Sequence, residues 1–390
     1  MLPSMNRRQF LTTAAAAGAA LSLPGTLAQA QAPQGQGRGG RGQGGPAVPP
    51  DPALVAKAHG TWCMYSRHLQ FVSTAAQAAA DPMGVGVKIG EHAKMIGVAA
   101  VNLTVRNGGH VLPANQVTAL PLMLKGIRST GIICDLMTPS ISPPSDPKNT
   151  DWIKMPNVED TLALASANGI NKYRITTNGG YPPNAFGKAI TDHLEGYRVN
   201  FQRLADLNKK YGMQAVMHTQ NSLGLALWDM MIAWKDIDPK YIGFNYCPGH
   251  VVASYADTGA TGVWANTLRY IMPYIDCVAL MDYGRVANAD GTISARTMAT
   301  GKGGQVNWVV FFQLLRESGY TGTFDTQEEY SIAATDGSNI SLNAAWFADD
   351  AVFTSGRMTP ALMVSTMKAD MDVYKAKGAE AGWTAAQLTA

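Results

Sequence analysis

From Ala58 to Tyr330 the chain alternates short runs rich in β-branched, aromatic and other apolar residues with longer segments of helical spacing. The β-like runs are Gly60–Met64, Val98–Arg106, Gly131–Met137, Lys172–Thr177, Gln214–Gln220, Tyr241–Cys247, Cys277–Tyr283 and Gly322–Tyr330. Between them the pattern predicts helices near 86–96, 114–127, 157–168, 185–211, 223–235, 260–273 and 305–318. Val117, Leu120 and Leu124 recur at helical spacing in one segment, and Phe201, Leu204 and Leu207 in the longest. Gly169, Gly212 and Gly319 sit where helices should end and the backbone needs a positive φ. Strands that alternate with helices pair in parallel, because each helix carries the chain back over the sheet.

Eight such strands give closure. The predicted fold class is therefore α/β, a (β/α)8 TIM barrel over residues 55–330, with an open doubly wound sheet as the alternative. Residues 331–390 are extra, and Thr359 to Lys377 reads as one amphipathic helix packed on the barrel's outside or over one end.

The front of the chain is different in kind. Asn6-Arg7-Arg8-Gln9-Phe10-Leu11 precedes an alanine-rich apolar stretch to Leu23, and Ala28-Gln29-Ala30 and Ala30-Gln31-Ala32 close it. A basic start, a short apolar middle and an A-x-A end make residues 1–32 a secretory signal. Its paired arginines point to the twin-arginine export machinery, so the expected location is periplasmic or secreted. Residues 33–54, mostly Gly, Gln, Arg and Pro, form a disordered linker, lacking the apolar area to offset their ordering entropy. An RGG-like stretch there can bind nucleic acid, but an exported chain uses it as a tether.

Hydrophobic residues make up 46% of the chain and charged ones 15%, enough for a large core. The net charge is +3, some of it in the linker, so no basic face for nucleic acid is expected. No second apolar run reaches about 18 residues, so no membrane insertion is expected after signal cleavage. Cys63, Cys134, Cys247 and Cys277 lie far apart in or beside apolar runs, which favours buried thiols over disulfide bridges.

In such a barrel, chemistry belongs at the C-terminal ends of the strands. The second run ends in Arg106-Asn107-Gly108-Gly109-His110, the fourth in Thr177-Asn178, and the fifth in His218, Gln220 and Asn221. Cys247 and His250 follow the sixth, Asp282 and Arg285 the seventh, and Gln327, Glu328 and Glu329 end the eighth. Alternation along the eighth run turns Thr323, Asp325, Gln327 and Glu329 toward the barrel axis and Phe324 and Thr326 toward the helices. Glu329 is then an inward carboxylate fit for a general base or metal ligand. Its plainer role is a structural ion pair with Arg106 or Arg285. Trp62, Tyr181 and Trp264 are candidates to stack on a sugar face, or core residues.

Three segments carry a family resemblance. VNLTVRNGGHVLPANQVTALPLM (101–123), YIGFNYCPGH (241–250) and GKGGQVNWVVFFQLLRESGYTGTFDTQEEY (301–330) resemble barrel units of the xylose-isomerase-like, sugar phosphate isomerase/epimerase superfamily. The resemblance implies a divalent metal held by carboxylates and histidine at the ends of strands five to eight. It also implies carboxylates that move a proton through an enediolate. The matching positions depart from that pattern. His218 takes the fifth-strand ligand position, with Gln220 where relatives often keep a second His. Cys247 replaces the sixth-strand aspartate while His250 is kept. Met281 stands where a Lys is common, Gln327 replaces a frequent His, and Glu329 is retained.

Taken with the export signal, which places the chain away from cytoplasmic kinases and ATP, the resemblance implies a free sugar, sugar acid or keto-glycoside, and not a sugar phosphate, as small-molecule partner. Glu329, His250 and His218 would be catalytic, and Arg106, His110, Asn178, Gln220, Arg285, Lys302 and Gln327 would bind substrate. One divalent ion, Zn²⁺ or Mn²⁺, would sit on His218, Cys247, His250 and Glu329, a set whose softness favours zinc. Without a metal, Arg106, Arg285 or Lys302 would serve as electrophile. The competing expectation is a carbohydrate-binding or partner subunit whose metal site has eroded.

Overall fold

A computed structural model describes residues 49–389 except 155–156, 178–179, 221–225, 256–262, 288–289, 291 and 345. The signal and nearly all of the linker lie outside the described residues. β1 (Gly60–Tyr65), β2 (Ala100–Val105), β3 (Ile133–Pro139), β4 (Lys172–Ile175), β5 (Gln214–His218), β6 (Ile242–Tyr246) and β7 (Ile275–Leu280) pair in parallel in that order. β8 (Asp282–Ala287) and β9 (Ile293–Met298) form a separate antiparallel hairpin, and β10 (Thr323–Thr326) is the eighth barrel strand. β10 pairs with both β7 and β1, so the barrel is closed. The open sheet is excluded.

Side-chain alternation sorts the strands as their pattern requires. Trp62 and Phe324 are register partners across the closing seam. Both turn outward, with ring centroids 4.8 Å apart, onto Phe312 of the helix Trp308–Glu317. Trp62 and Trp264 are core residues and not a sugar platform; both are buried in the shell between strands and helices. Inside the barrel the apolar residues form two small separate groups. Leu136, Val216 and Cys277 make one, and Cys247, Ala279 and Met281 the other. Polar residues fill the rest. Asn102 donates to Asp325 at 2.8 Å, Gln327 donates to Asp325 at 3.3 Å, and Thr138 donates to Asn102 at 2.9 Å.

The seventh run is corrected. It predicts one strand through Tyr283, but β7 stops at Leu280. Asp282 then accepts hydrogen bonds from the amides of Tyr283 (2.8 Å) and Val306 (3.1 Å) and from the indole of Trp308 (2.9 Å). That buried staple turns the chain out of the barrel into the β8–β9 hairpin. A further helix absent from the pattern, Pro248–Tyr255, follows β6 directly and carries His250. The expected helix ends hold: φ is +73° at Gly169, +65° at Gly212 and +72° at Gly319.

Within the stretch read as linker, Asp51 caps a short helix, Pro52–Lys57. The tail forms a small hairpin, β11 (Ser331–Ala333) with β12 (Asn339–Ser341), then the helix Pro360–Glu380. That helix packs outside the barrel against Trp308–Glu317 and Pro82–Ile96, with Tyr374 edge-on to Trp308 at 4.9 Å. A terminal strand, β13 (Leu388–Thr389), pairs with the start of β1. All four cysteines are buried free thiols. Among the described residues no helix is long and apolar enough to cross a membrane.

The seam sets the first prediction. Phe324→Ala should cost about 3–5 kcal/mol by leaving a cavity at the closing strand pair, measured by urea unfolding. A loss below about 1 kcal/mol would show that this packing does not hold the barrel shut.

Candidate active site

His218 ends β5, and alternation with Gln214 and Val216 turns its ring into the barrel. Cys247 follows β6, its amide held by the Thr219 hydroxyl at 2.7 Å, and His250 enters from the helix just beyond. The two imidazoles meet edge to face with centroids 5.2 Å apart. The nitrogens of His218 and His250 and the sulfur of Cys247 all lie within 4.8 Å of one another. Both ring nitrogens of His218 and Nδ1 of His250 are buried without a hydrogen-bond partner. Burial, then the nearby Arg174 charge, holds His218 well below its ordinary range and His250 at about 3. Burial also pushes the Cys247 thiol up to about 12. Burial thus disfavours the protonated form of both imidazoles.

Neutral imidazoles and a thiol are a soft donor set. They fit zinc, which takes three such ligands and keeps a fourth position open, and not magnesium, which wants oxygen donors. No carboxylate belongs to the group among the described residues. Glu329 stands apart, its carboxylate 3.8 Å from a guanidinium nitrogen of Arg67. The expected partners of that carboxylate, Arg106 and Arg285, are replaced by Arg67. At that length and partial exposure the pair is loose, and Glu329 still helps raise both Cys247 and Tyr283 electrostatically.

Beside the histidines, a polar cavity of about 240 Å³ opens at the C-terminal ends of β2 to β5. Arg106, Arg174, Thr138, Ser140, Thr176 and Gln220 contribute to its lining. Tyr65, at the end of β1, carries the Arg174 guanidinium 5.1 Å and that of Arg106 5.9 Å from its ring centroid. A larger cavity, about 370 Å³, lies at the opposite end among Lys172, Lys209, Lys240, Asp135 and Asp276. Barrel chemistry belongs to the strands' C-terminal face, so its greater volume does not make it the site.

The sequence-predicted residues divide accordingly. Arg106 and Gln220 line the 240 Å³ cavity, and Gln220 accepts from Arg174 at 3.4 Å. Gln327 is buried inside the barrel on Asp325. His110 is elsewhere: its Nδ1 lies 3.3 Å from the Ser66 hydroxyl and 3.0 Å from that of Thr104, and it lines a separate apolar cavity with Phe347. Arg285 is exposed on the hairpin and Lys302 is exposed beyond it, because the chain leaves the barrel at Asp282. Asn178 and Asn221 lie outside the described residues. Arg174, Tyr65 and Arg67 were not anticipated. For Arg174 the signal was available, since alternation from Lys172 places it inside the barrel.

The chain belongs to the xylose isomerase-like TIM barrel family, whose pattern matches residues 91–347. Residues 4–24 match the twin-arginine translocation signal, so the chain carries an address for export to the periplasm or beyond. Similar solved structures share the fold. One is a xylose isomerase-like TIM barrel protein from Mycobacterium smegmatis in complex with magnesium, with 15% identity, TM-score 0.54, and 82% of this chain and 97% of that one covered. Another is a D-psicose 3-epimerase with D-tagatose from Clostridium cellulolyticum H10, at 12% identity and TM-score 0.53, covering 82% and 99%. A third is a probable 3-DHS dehydratase involved in petrobactin synthesis from Bacillus anthracis, at 13% and 0.50, covering 81% and 98%. No curated protein matches the chain.

Burial holds His110 at about 4, so the native state refuses a proton that the unfolded chain takes up below about 6.5. Its contribution is complete at neutral pH and is lost as pH falls through that window. Between about pH 6 and 4.5 the wild type should lose about 1.4 kcal/mol per pH unit more than His110→Gln in urea titrations. Parallel profiles would show that His110 is not held neutral.

Proposed function

We propose that the exported barrel is an isomerase- or epimerase-like enzyme that abstracts a proton next to a carbonyl of a free sugar, sugar acid or keto-glycoside. The observation that carries this is the meeting of His218, Cys247 and His250 within 4.8 Å at the strands' C-terminal ends. Arg106 and Gln220 in the adjoining polar cavity would orient the substrate. Glu329 is the base: its carboxylate takes the hydrogen from the carbon beside the carbonyl, and the C–H electron pair forms the enolate. His250 and His218, kept neutral by burial, donate N–H hydrogen bonds to the enolate oxygen and so act as electrophiles. A proton delivered by water from the opposite face gives the epimer; return of the proton by Glu329 to the former carbonyl carbon, with the α-hydroxyl proton passing to the former carbonyl oxygen, gives the isomer. A zinc ion on His218, Cys247 and His250 would supply Lewis-acid polarisation of the same oxygen.

A second reading, a carbohydrate-binding or partner subunit, draws on Glu329 lying beside Arg67 and outside the histidine cluster. The two are separated by incubating the full chain in D2O with ketoses, sugar acids and 3-keto-glucosides, with and without Zn²⁺ or Mn²⁺. Catalysis predicts deuterium at the carbon next to the carbonyl, reduced about 100-fold or more in Glu329→Gln and in His250→Ala. No incorporation by the wild type with any of these substrates, with or without metal, would leave the binding reading.

A further inference from the structure

Arg174 is the outstanding charge of the barrel. It sits in β4, is 6% exposed, and lines the 240 Å³ cavity. Its Nε and Nη1 have no hydrogen-bond partner, and its Nη2 has only the 3.4 Å contact to Gln220. No carboxylate pairs with it among the described residues. A buried guanidinium in that condition is costly to desolvate unless something else satisfies it. The Tyr65 face supports it at 5.1 Å, which neutralises none of its charge and uses none of its in-plane donors.

The neighbours do not supply the missing anion. Arg106 lies over the same tyrosine ring at 5.9 Å, and Arg67 is close enough for both cations to act on it. Against these three guanidinium groups the rim offers Glu329, already beside Arg67. Asp325 lies deeper, hydrogen-bonded to Asn102 and Gln327 and not to Arg174; burial moves it up to about 6, although the Arg174 charge acts on it in the other direction. At about 240 Å³ the space is smaller than the roughly 300–1,000 Å³ of drug-sized sites. A monosaccharide is on that scale, and the hydroxyls of Ser140 and Thr176 offer it hydrogen bonds.

We infer that this mouth recognises the carboxylate of a sugar acid, gripped by the Arg174 fork with Arg106 beside it, and discriminates against neutral sugars. The inference rests on the carbohydrate reading above and names its substrate class. A planar fork of donors matches two carboxylate oxygens, which a lysine's point charge does not.

Calorimetric titration of the full chain with D-glucuronate, D-galacturonate, D-gluconate, D-glucose and D-glucose 6-phosphate tests it. At least one acid should bind about tenfold or more tighter than glucose, and added salt should weaken it. R174M should weaken that acid at least about 30-fold, with R174K only partly restoring it. Should R174M not fold, the wild type's preference for acid over glucose decides. Equal binding of acid and glucose, binding of the phosphate alone, no binding by any acid, or an R174M variant that folds and binds normally would each overturn it. Acid binding without deuterium exchange would leave the anion site standing and remove the catalysis. Exchange in a neutral ketose without acid binding would do the reverse.

Discussion

Everything at the mouth depends on the pairing of β10 with β1. Once that seam closes, each strand has one face toward the helices and one toward the axis, and the choice is fixed by a two-residue period. Trp62 and Phe324 take the outer face of the seam because two large rings can be buried only there. Cys63 and Asp325, their neighbours in sequence, must then face inward. The same rule, applied around the barrel, brings Arg174 and His218 into the interior. A slip of one residue at the seam would exchange these sets and leave neither a core nor a site.

The interior so formed is unusually polar for a packed barrel. Its apolar groups are small, and amides, hydroxyls, Asp325, Arg174 and the histidines occupy the space between. Low dielectric makes each of these groups expensive to leave unpaired and effective when a partner arrives. It also disfavours protonation of His218 and His250, while the guanidinium groups and the Glu329 carboxylate carry the charge of the rim. Recognition and polarisation thus fall to different side chains: cations for an anionic handle, neutral rings for a carbonyl oxygen.

The barrel was legible because strand and helix periods differ, and a chain that switches between them eight times has few ways to pack. The tail helix was legible for the same reason. The exit at Asp282 was not: VALMDYGRVA keeps alternating past the true end of β7, and only a tertiary staple from Val306 and Trp308 stops the barrel strand. Arg285 and Lys302 are instead exposed, on the β8–β9 hairpin and beyond it. His110 misled differently, since a histidine after a glycine turn looks available until Ser66 and Thr104 are seen to hold it. His218 and His250 were read from strand ends and do come together. Arg174 was overlooked because it lies within a strand and not at its end. The family resemblance pointed to the same topology, but sequence alone could not say which side chains meet at the mouth.

The central prediction is a ligand held at the C-terminal mouth and not in the lysine-lined cavity at the other end. A crystal structure of the full chain with a bound hexuronate tests this directly. The carboxylate should lie on Arg174 over Tyr65, with the carbon chain reaching toward His218 and His250. Density for the sugar among Lys172, Lys209 and Lys240, with the mouth filled only by solvent, would contradict it.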